Sequence, residues 1–353
     1  MEFREQVPLA PFTTLGLGGP ARRFVECASE EEIRDALRRA AARAWPVTVF
    51  AGGSNVVFPD GGVGGLVLRV AGSGVSFEES GNTVTARAWA GGSWDAFVEE
   101  CVRRGLGGVE CLSGIPGSVG ATPVQNVGAY GQEVAETVVA VRAIDRRSLA
   151  TVHFSAAECR FGYRQSRFKA EDRDRFVITL VTFRLATNAA PAVRYTELQR
   201  ALDSASGHGS TPGGRPGLEA VRREVLALRR GKSMLVDPSD PDSRSAGSFF
   251  MNPVLSQEEF EAVRSRWRDL GGAGEVPSFP APEGVKVPAG WLVERAGFAK
   301  GTRMGNAGVS SKHALALVNH GGTTAELLAL AEEIRKGVRK TFGVLLEPEP
   351  VIL

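Results

Sequence analysis

The spacing of apolar residues predicts a small strand–helix–strand unit over residues 20–70. Ser29 and Glu32 form a capping box, and the apolar positions that follow lie on one helical face until Pro46 interrupts the pattern. Short apolar runs at residues 47–50 and 66–70 predict buried strands. The turn Gly-Gly-Ser-Asn at residues 52–55 is therefore expected at the C-terminal end of a strand, where backbone N–H groups often hold phosphates.

From residue 75 the pattern changes to short alternating runs, which indicate a sheet-rich α+β region. The predicted strands are residues 75–78, 83–89, 137–144, 150–154 and 176–185. Helical spacing predicts helices at residues 94–105, 218–230, 256–267, 289–296 and 323–343, with a strand at 314–319. The last strand is expected to carry Glu347-Pro348-Glu349, and the apolar residues 351–353 predict a packed tail that brings Glu349 inward.

A glycine-rich stretch at residues 113–133, SGIPGSVGATPVQNVGAYGQE, breaks every hydrophobic period. Glycine lets the main chain approach another body closely, and proline stiffens its path. Gln125, Asn126 and Tyr130 add neutral hydrogen-bonding groups. Two interpretations fit about equally: a rigid cradle for a flat, polar-edged cofactor, or a long structural loop, which is unusual inside a compact domain.

Composition and charge exclude several classes of protein. The chain has 353 residues, of which 43% are apolar and 23% charged, and its net charge is +2, as expected for a globular protein of two or three domains. Basic residues are interleaved with acidic ones, which does not favour nucleic-acid binding. No apolar run approaches the roughly 20 residues of a membrane span, and the first residues lack a signal-peptide layout. We expect no nucleic-acid partner, no membrane association and a cytoplasmic location.

Motifs for phosphate, nucleophile and metal chemistry are incomplete. The Gly-x-Gly-x-x-Ala run at residues 16–21 is interrupted by Pro20 and is interpreted as a structural turn. Gly231-Lys232-Ser233 is not a P-loop, because Leu226 stands where the earlier glycine is needed. Four scattered cysteines and four histidines show no zinc-ligand spacing, so no metal site is predicted. Chemistry is then expected to depend on a bound organic cofactor.

Three polar residues occupy places of interest for such chemistry. Arg164 follows a tyrosine, and its planar fork suits a carboxylate or phosphate, although composition alone favours a surface ion pair. Ser248 precedes two phenylalanines, where its hydroxyl either faces apolar walls or caps a turn. Glu349 lies between prolines in the tail.

A series of short motifs extends over nearly the whole chain. They are TLG at 14–16 with GGPA at 18–21, GGSN at 52–55, GIPG at 114–117, QNVGAYG at 125–131, ECRFGYR at 158–164, GSFF at 247–250, AGWL at 289–292 and LEPE at 346–349. In this order they resemble the UDP-N-acetylenolpyruvoylglucosamine reductase family. The resemblance implies an α+β, three-domain flavoprotein, with a two-part FAD-binding module of the vanillyl-alcohol-oxidase type and a C-terminal α+β substrate domain.

The implied domains are residues 1–70 plus 344–353 for FAD-binding subdomain 1, 71–236 for subdomain 2, and 237–343 for the substrate domain. Residues 204–217, within subdomain 2, are expected to form a mobile loop because they are rich in glycine, serine and proline.

The resemblance also implies the activity of a UDP-N-acetylmuramate dehydrogenase, an FAD-dependent oxidoreductase of peptidoglycan synthesis, and hence of cell wall biogenesis, cell shape and cell division. NADPH would reduce FAD, which would then reduce UDP-N-acetylglucosamine enolpyruvate to UDP-N-acetylmuramate. The implied catalytic roles are charge stabilisation by Arg164 and Glu349 and protonation of the substrate C2 by Ser248. Glu349 can help only as a protonated donor or by fixing a cation or a water, because a bare carboxylate would repel the developing charge.

Further site residues follow from the same resemblance. The implied cofactor-binding residues are Gly52, Gly53, Ser54, Asn55, Gly114, Ile115, Pro116, Gly117, Gly120, Gln125, Asn126, Gly128, Ala129 and Tyr130. The implied substrate-binding residues are Tyr163, Tyr195, Asn252 and Lys286, and Tyr195 marks a longer subtype whose tyrosine loop closes over the substrate. Met234 and Met251 stand where relatives carry lysine, so the uridine diphosphate is expected to meet Lys232, Arg244 or Lys286.

Two alternatives remain at this point. A flavin oxidase of the same fold would use oxygen as acceptor, and a flavin-binding regulatory protein would have no turnover. The joint presence of Arg164, Ser248 and Glu349 argues against the second, because binding alone does not require a proton donor. We expect a monomer that binds small-molecule substrates.

Overall fold

The structure is a computed structural model that describes residues 1–187, 189–191, 193–206 and 217–353. Its contacts divide the chain into two compact units. Unit 1 comprises residues 1–7, 21–53 and 63–231, and unit 2 comprises residues 8–20, 54–62 and 232–353. The three-domain boundaries given above stay a prediction. Of the predicted mobile loop, residues 207–216 lie outside the described residues.

Unit 1 contains a small sheet flanked by one helix. Its strand order is Arg4–Pro8, Pro20–Cys27, Leu66–Val70 and Val47–Phe50, and the last three strands run parallel. Helix Glu30–Ala42 begins where the Ser29 side chain accepts the N–H of Glu32, and it buries Ile33, Ala36, Leu37 and Ala40. The predicted strand–helix–strand unit is confirmed. The Gly-x-Gly-x-x-Ala run precedes a strand, which is the wrong order for a dinucleotide fingerprint.

The larger sheet of unit 1 contains the predicted strands, and its strands pair antiparallel. In the described residues its order is Thr151–Ser155, Val138–Asp145, Phe176–Thr187, Thr83–Trp89 and Val75–Ser80, and Leu106–Gly107 also pairs with Phe176–Thr187. Helix Trp94–Arg103 packs its apolar stripe into the same core, which includes Trp94, Phe97 and Phe183 in mutual ring contact. Ser155 and Glu158 form the pattern of a helix capping box and exchange its two hydrogen bonds, but a turn follows them instead of a helix.

The glycine-rich stretch runs through unit 1 as short turns and a small hairpin. Its regular elements are the 3-10 turn Val119–Ala121 and the paired strands Gly128–Ala129 and Gln132–Glu133, and the 3-10 turns Glu110–Leu112 and Val134–Glu136 flank it. Helices Thr196–Ser206 and Leu218–Gly231 pack together near it through a cluster that consists of Cys111, Leu198, Leu202, Val221 and Val225. Helix Thr196–Ser206 was not predicted, because the glycine- and serine-rich residues after it obscure its short apolar period.

Unit 2 has two small antiparallel sheets and three helices. One sheet has the order Ser245–Ser248, Ala316–Asn319, Ala307–Val309 and Arg303–Met304, and the other Val254–Leu255, Gly284–Lys286 and Phe279–Ala281. The helices are Gln257–Asp269, Ala289–Arg295 and Thr324–Phe342, and the first and third begin at capping boxes formed by Ser256 with Glu259 and by Thr323 with Glu326. Leu15, Leu17 and Val57, from early in the chain, belong to the apolar core of this unit.

The tail differs from its prediction. The last strand is Val351–Ile352, which pairs in parallel with Val56–Val57, so it begins after Glu349 instead of containing it. Val351, Ile352 and Leu353 stay 37–46% exposed. Backbone hydrogen bonds, rather than burial of these side chains, therefore hold the tail, because Val56–Val57 offers a free strand edge.

Candidate active site

A close contact between two glycines shapes the first part of the candidate site in unit 1. A Cβ placed on Gly52 would lie 2.6 Å from the Cα of Gly117 and 2.7 Å from the nitrogen of Ser118. A Cβ on Gly120 would lie 2.5 Å from the Cβ of Ala90. The turn at residue 52 therefore meets the glycine-rich stretch backbone to backbone, which only glycine permits.

Ser118 lies at this contact and was not among the predicted site residues. Ser118 is 2% exposed, and its hydroxyl has no hydrogen-bond partner among the described residues. A buried hydroxyl without a partner is costly to a folded protein, by about 1–3 kcal/mol. The sequence signal was the position of Ser118 directly after Gly117, the glycine that contacts Gly52.

Gly114 is held at both of its backbone polar groups. Its N–H donates to Asp95 Oδ1 at 2.6 Å, and its carbonyl accepts from Arg229 Nε at 3.1 Å. Arg222 donates to both oxygens of Asp95, at 2.6 and 3.0 Å. Burial lowers the pKa of Arg229. Burial also acts to raise the pKa of Asp95, but the hydrogen bonds from Arg222 and Gly114 outweigh it and bring the pKa of Asp95 below its usual value. Sequence reasoning missed these three charged residues because each lies on a helix with no motif.

Arg164 lies in a turn against the glycine-rich hairpin. Its Nη2 donates to the carbonyl of Gly128 at 2.6 Å, and its guanidinium carbon lies 5.6 Å from the ring centroid of Tyr163. The side chain is half-buried. The structure thus joins two predicted regions, the arginine-rich segment and the glycine-rich stretch, within unit 1.

Tyr130 and Tyr195 are in edge-to-face contact, with ring centroids 5.6 Å apart. Tyr195 precedes helix Thr196–Ser206 and is 46% exposed, whereas burial raises the pKa of Tyr130 to about 12. The neighbouring Arg194 donates to Glu136 and to the carbonyl of Gly131. The predicted closing tyrosine is therefore packed on the predicted cofactor loop.

In unit 2, backbone pairing brings Ser248 and Glu349 together. Ser248 ends a strand opposite Ala316, after Gly247 at a φ of 73°. The N–H of Glu349 donates to the carbonyl of Phe249 at 2.9 Å, and Pro348 bridges Phe250. Phe249 and Phe250 are fully buried, so the half-buried Ser248 and Glu349 lie at the rim of an apolar core.

Asn55 is bonded to the same tail within unit 2. Its side-chain nitrogen donates to the carbonyl of Glu349 at 3.4 Å, and its own carbonyl accepts the N–H of Val351 at 3.0 Å. The predicted cofactor residues Ser54 and Asn55 thus belong to unit 2, and Gly52 and Gly53 to unit 1. Of the three predicted catalytic residues, Arg164 is in unit 1 and the other two are in unit 2.

The remaining substrate candidates in unit 2 have structural contacts of their own. Asn252 Oδ1 accepts the N–H of Ala289 at 2.8 Å, where helix Ala289–Arg295 begins. Lys286 ends a central strand, opposite Val254 and Phe279. In the part of the chain that the structure describes, no three histidine, cysteine or acidic side chains are grouped to hold a metal ion, and no helix has the length and apolar composition to cross a membrane.

The residues of unit 1 fit a flavin dinucleotide. A pyrophosphate needs close backbone approach, which the glycines at residues 52 and 117 permit. The buried guanidinium of Arg229 adds positive charge beside Gly114. The family model described as FAD binding domain matches residues 21–150, which contain most of these residues. The protein is a flavoprotein, and FAD is its cofactor.

The rest of the chain defines the family. The model of the UDP-N-acetylenolpyruvoylglucosamine reductase C-terminal domain matches residues 238–353. Reductases of that name from Thermobifida fusca and Streptomyces coelicolor are each 50% identical to this chain, covering 99% and 98% of it and 98% and 88% of their own length. The crystal structure of the Thermus caldophilus reductase is 26% identical, covers 99% of both chains and has a TM-score of 0.64. The chain belongs to the UDP-N-acetylenolpyruvoylglucosamine reductase family, and the predicted α+β flavoprotein fold is confirmed.

Proposed function

We propose that this protein reduces UDP-N-acetylglucosamine enolpyruvate to UDP-N-acetylmuramate with NADPH, in peptidoglycan precursor synthesis. The observation that carries the proposal is the placement of Glu349, whose N–H donates to the carbonyl of Phe249, the residue directly after Ser248, in a chain whose first part fits FAD. A hydroxyl and a carboxyl at the rim of an apolar core are suited to proton delivery beside a redox cofactor. An oxidase that passes electrons to oxygen has no need of such a donor.

FAD, when bound, supplies hydride transfer from NADPH to the vinyl carbon C3 of the enolpyruvyl group. Arg164 binds the substrate carboxylate, over which negative charge develops as C3 is reduced. A guanidinium fixed by its hydrogen bond to Gly128 needs little reorganisation to do so. The adjacent ring of Tyr163 supports the same guanidinium through a cation–π contact.

Ser248 donates the proton to C2 of the substrate. A serine hydroxyl is a weak acid, so it serves only because C2 becomes strongly basic. Glu349 stabilises the developing charge as a protonated donor, or by holding a cation or a water. Its backbone bond to Phe249 fixes its position relative to the serine.

Tyr195, Asn252 and Lys286 bind the sugar nucleotide in this proposal, and Lys232 or Arg244 adds charge for the diphosphate. Tyr195 covers the substrate from its contact with Tyr130. Asn252 Oδ1 accepts the N–H of Ala289, which fixes the orientation of the side chain at the start of helix Ala289–Arg295. We further propose that the protein is cytoplasmic and has no nucleic-acid partner. We also propose that it is a monomer, and light scattering of the purified protein would test its oligomeric state.

The test is steady-state NADPH oxidation by the FAD-loaded protein with and without UDP-N-acetylglucosamine enolpyruvate, under nitrogen. We expect oxidation that requires the enolpyruvyl compound and yields UDP-N-acetylmuramate. Rapid oxidation in air without any sugar nucleotide would support a flavin oxidase instead. With FAD bound, failure of the enolpyruvyl compound to accelerate NADPH oxidation would refute the proposed reaction.

A further inference from the structure

We infer that Asn126 is a positioning residue that holds the turn carrying Arg164, rather than a ligand of FAD as the resemblance implies. Asn126 is 1% exposed and adopts a φ of 45°. It lies in the glycine-rich stretch, two residues before the Gly128 carbonyl that accepts from Arg164. This inference rests on the proposed role of Arg164 toward the substrate.

The hydrogen bonds of Asn126 are all made within the protein. Its Nδ2 donates to the carbonyl of Gly162 at 3.0 Å and to Glu133 Oε2 at 2.8 Å, and its Oδ1 accepts the N–H of Ala135 at 3.1 Å. A side-chain amide has two N–H donors. Both are used, so no donor remains for a phosphate oxygen or a flavin carbonyl, which can only accept.

The bond to Gly162 acts directly on the turn that carries Arg164. The N–H of Gly162 donates to the carbonyl of Gln165 at 3.0 Å, and the N–H of Gln165 donates back at 3.2 Å, so the turn is closed. Arg164 lies inside it at a φ of 53°, a conformation that a non-glycine residue keeps only when its surroundings impose it. Asn126 fixes the base of the turn, and Gly128 fixes the guanidinium at its tip.

The positive φ of Asn126 decides which substitution is informative. Asn126→Ala would add backbone strain to the loss of the side chain. Asn126→Gly removes the side chain without that strain. Thr122→Val is the matched control, because Thr122 is also buried in this stretch but its hydroxyl donates only to the nearby carbonyl of Val119.

The experiment separates FAD binding, flavin reduction and flavin reoxidation in stopped flow. For Asn126→Gly we expect FAD content and the rate of reduction by NADPH within about twofold of the parent. Reoxidation by UDP-N-acetylglucosamine enolpyruvate should slow by about 10- to 100-fold, because a misplaced Arg164 stabilises the transition state less well. Thr122→Val should leave all three unchanged.

A double-mutant cycle with Arg164→Lys tests whether Asn126 acts through Arg164. In that background Asn126→Gly should slow reoxidation by less than about twofold, since coupled residues are not additive. An undiminished effect there, or loss of FAD from Asn126→Gly alone, would overturn the inference in favour of a cofactor contact or a general structural role.

Amide hydrogen exchange supplies a measurement that does not depend on activity. Peptides covering residues 160–166 should exchange faster in Asn126→Gly than in Thr122→Val, because the turn loses its anchor. Equal exchange in the two variants would overturn the inference even if the substrate of the parent protein proved to be a different one. Failure of the parent protein to use the enolpyruvyl compound would instead refute the proposed function alone.

Discussion

The carboxylate of Asp95 accepts a hydrogen bond from the backbone N–H of Gly114 at 2.6 Å. Asp95 lies in the first turn of helix Trp94–Arg103, and Gly114 begins the Gly-Ile-Pro-Gly motif. Arg222, from helix Leu218–Gly231, donates to both oxygens of the same carboxylate. One acidic residue therefore connects two helices of unit 1 to the start of the glycine-rich stretch.

Asp95→Ala should lower the free energy of unfolding by about 1–2 kcal/mol, after allowance for solvent screening of this partly exposed carboxylate. It should also weaken FAD binding, because Gly114 loses the acceptor that fixes its N–H. Urea unfolding and flavin titration measure the two effects. Glu99→Ala is the control, since Glu99 lies 3.6 Å from Arg222 and is 68% exposed. An equal loss in both variants would contradict the role given to the bond with Gly114.

The same residue predicts an acid dependence of stability. The folded pKa of Asp95 lies below its usual value of 3.8, so its contribution is complete above pH 3.8 and is lost as the pH falls through the folded pKa. Unfolding free energies of the parent and Asp95→Ala should therefore converge below pH 3.8. A difference that stays constant through that range would show that the charge of Asp95 is not involved.

Gly52→Ala should abolish FAD binding, because the added methyl would overlap the backbone of residues 117 and 118. The φ of Gly52 is not positive, so close approach is the sole obstacle. Gly64→Ala is the matched control, with no atom within 4 Å of its Cβ and no positive φ. Absorbance of the bound flavin after purification measures the outcome. Retention of FAD by Gly52→Ala would mean that the turn yields easily.

Ser118→Ala should change stability without changing cofactor affinity. Removing a buried hydroxyl without a partner should leave the FAD-free protein as stable or more stable by about 1 kcal/mol. FAD affinity should stay within about twofold of the parent, because the hydroxyl is enclosed by the protein. Thermal unfolding of the FAD-free form and flavin titration provide the test. A destabilised FAD-free protein would show that the hydroxyl has a structural partner.

Ser248→Ala should retain reduction of the flavin by NADPH and lose reoxidation by the enolpyruvyl substrate, by at least about 100-fold. Only the second step requires a proton at C2. Ser256→Ala, which removes a helix cap in the same unit, should lower stability by about 1 kcal/mol and leave both steps intact. Equal impairment of both steps in Ser248→Ala would remove this serine from the proposed role.

The four cysteine thiols should be inert in the native protein. All four are buried, and burial raises the pKa of Cys27, Cys111 and Cys159 to about 12 and that of Cys101 further. Because the thiolate is the reactive form, a thiol reagent at pH 8 should label none of them before denaturation and all four afterwards. Rapid labelling of the native protein would contradict their burial.

Local patterns were enough to predict most helices and strands. Helix Glu30–Ala42 and strands Val47–Phe50 and Leu66–Val70 follow from apolar spacing and a cap, which act over a few residues. The bond between Asp95 and Gly114 joins residues 19 positions apart, and Arg222 reaches Asp95 from 127 positions away. No short-range pattern encodes such pairs, so the supports of the site could not be predicted.

The error at the tail has a similar cause. The apolar side chains of residues 351–353 predicted burial. The tail is instead held by backbone pairing with Val56–Val57, which depends little on side chains. Family motifs indicated the residues Arg164, Ser248 and Glu349. They did not indicate Ser118 or Arg229, which became visible only through burial and hydrogen bonding.

Unit 2 takes its core from three separate stretches of chain, and this limits how the protein can be divided experimentally. Leu15, Leu17 and Val57 are packed with residues beyond 232. A fragment ending at residue 231 would leave these side chains in water, and one starting at residue 232 would lack them. Expression of unit 1 alone would need short polar linkers in place of residues 8–20 and 54–62. Expression of unit 2 alone would need those residues fused to the C-terminal part. Cutting a single peptide bond therefore cannot yield either unit with its complete set of chain segments.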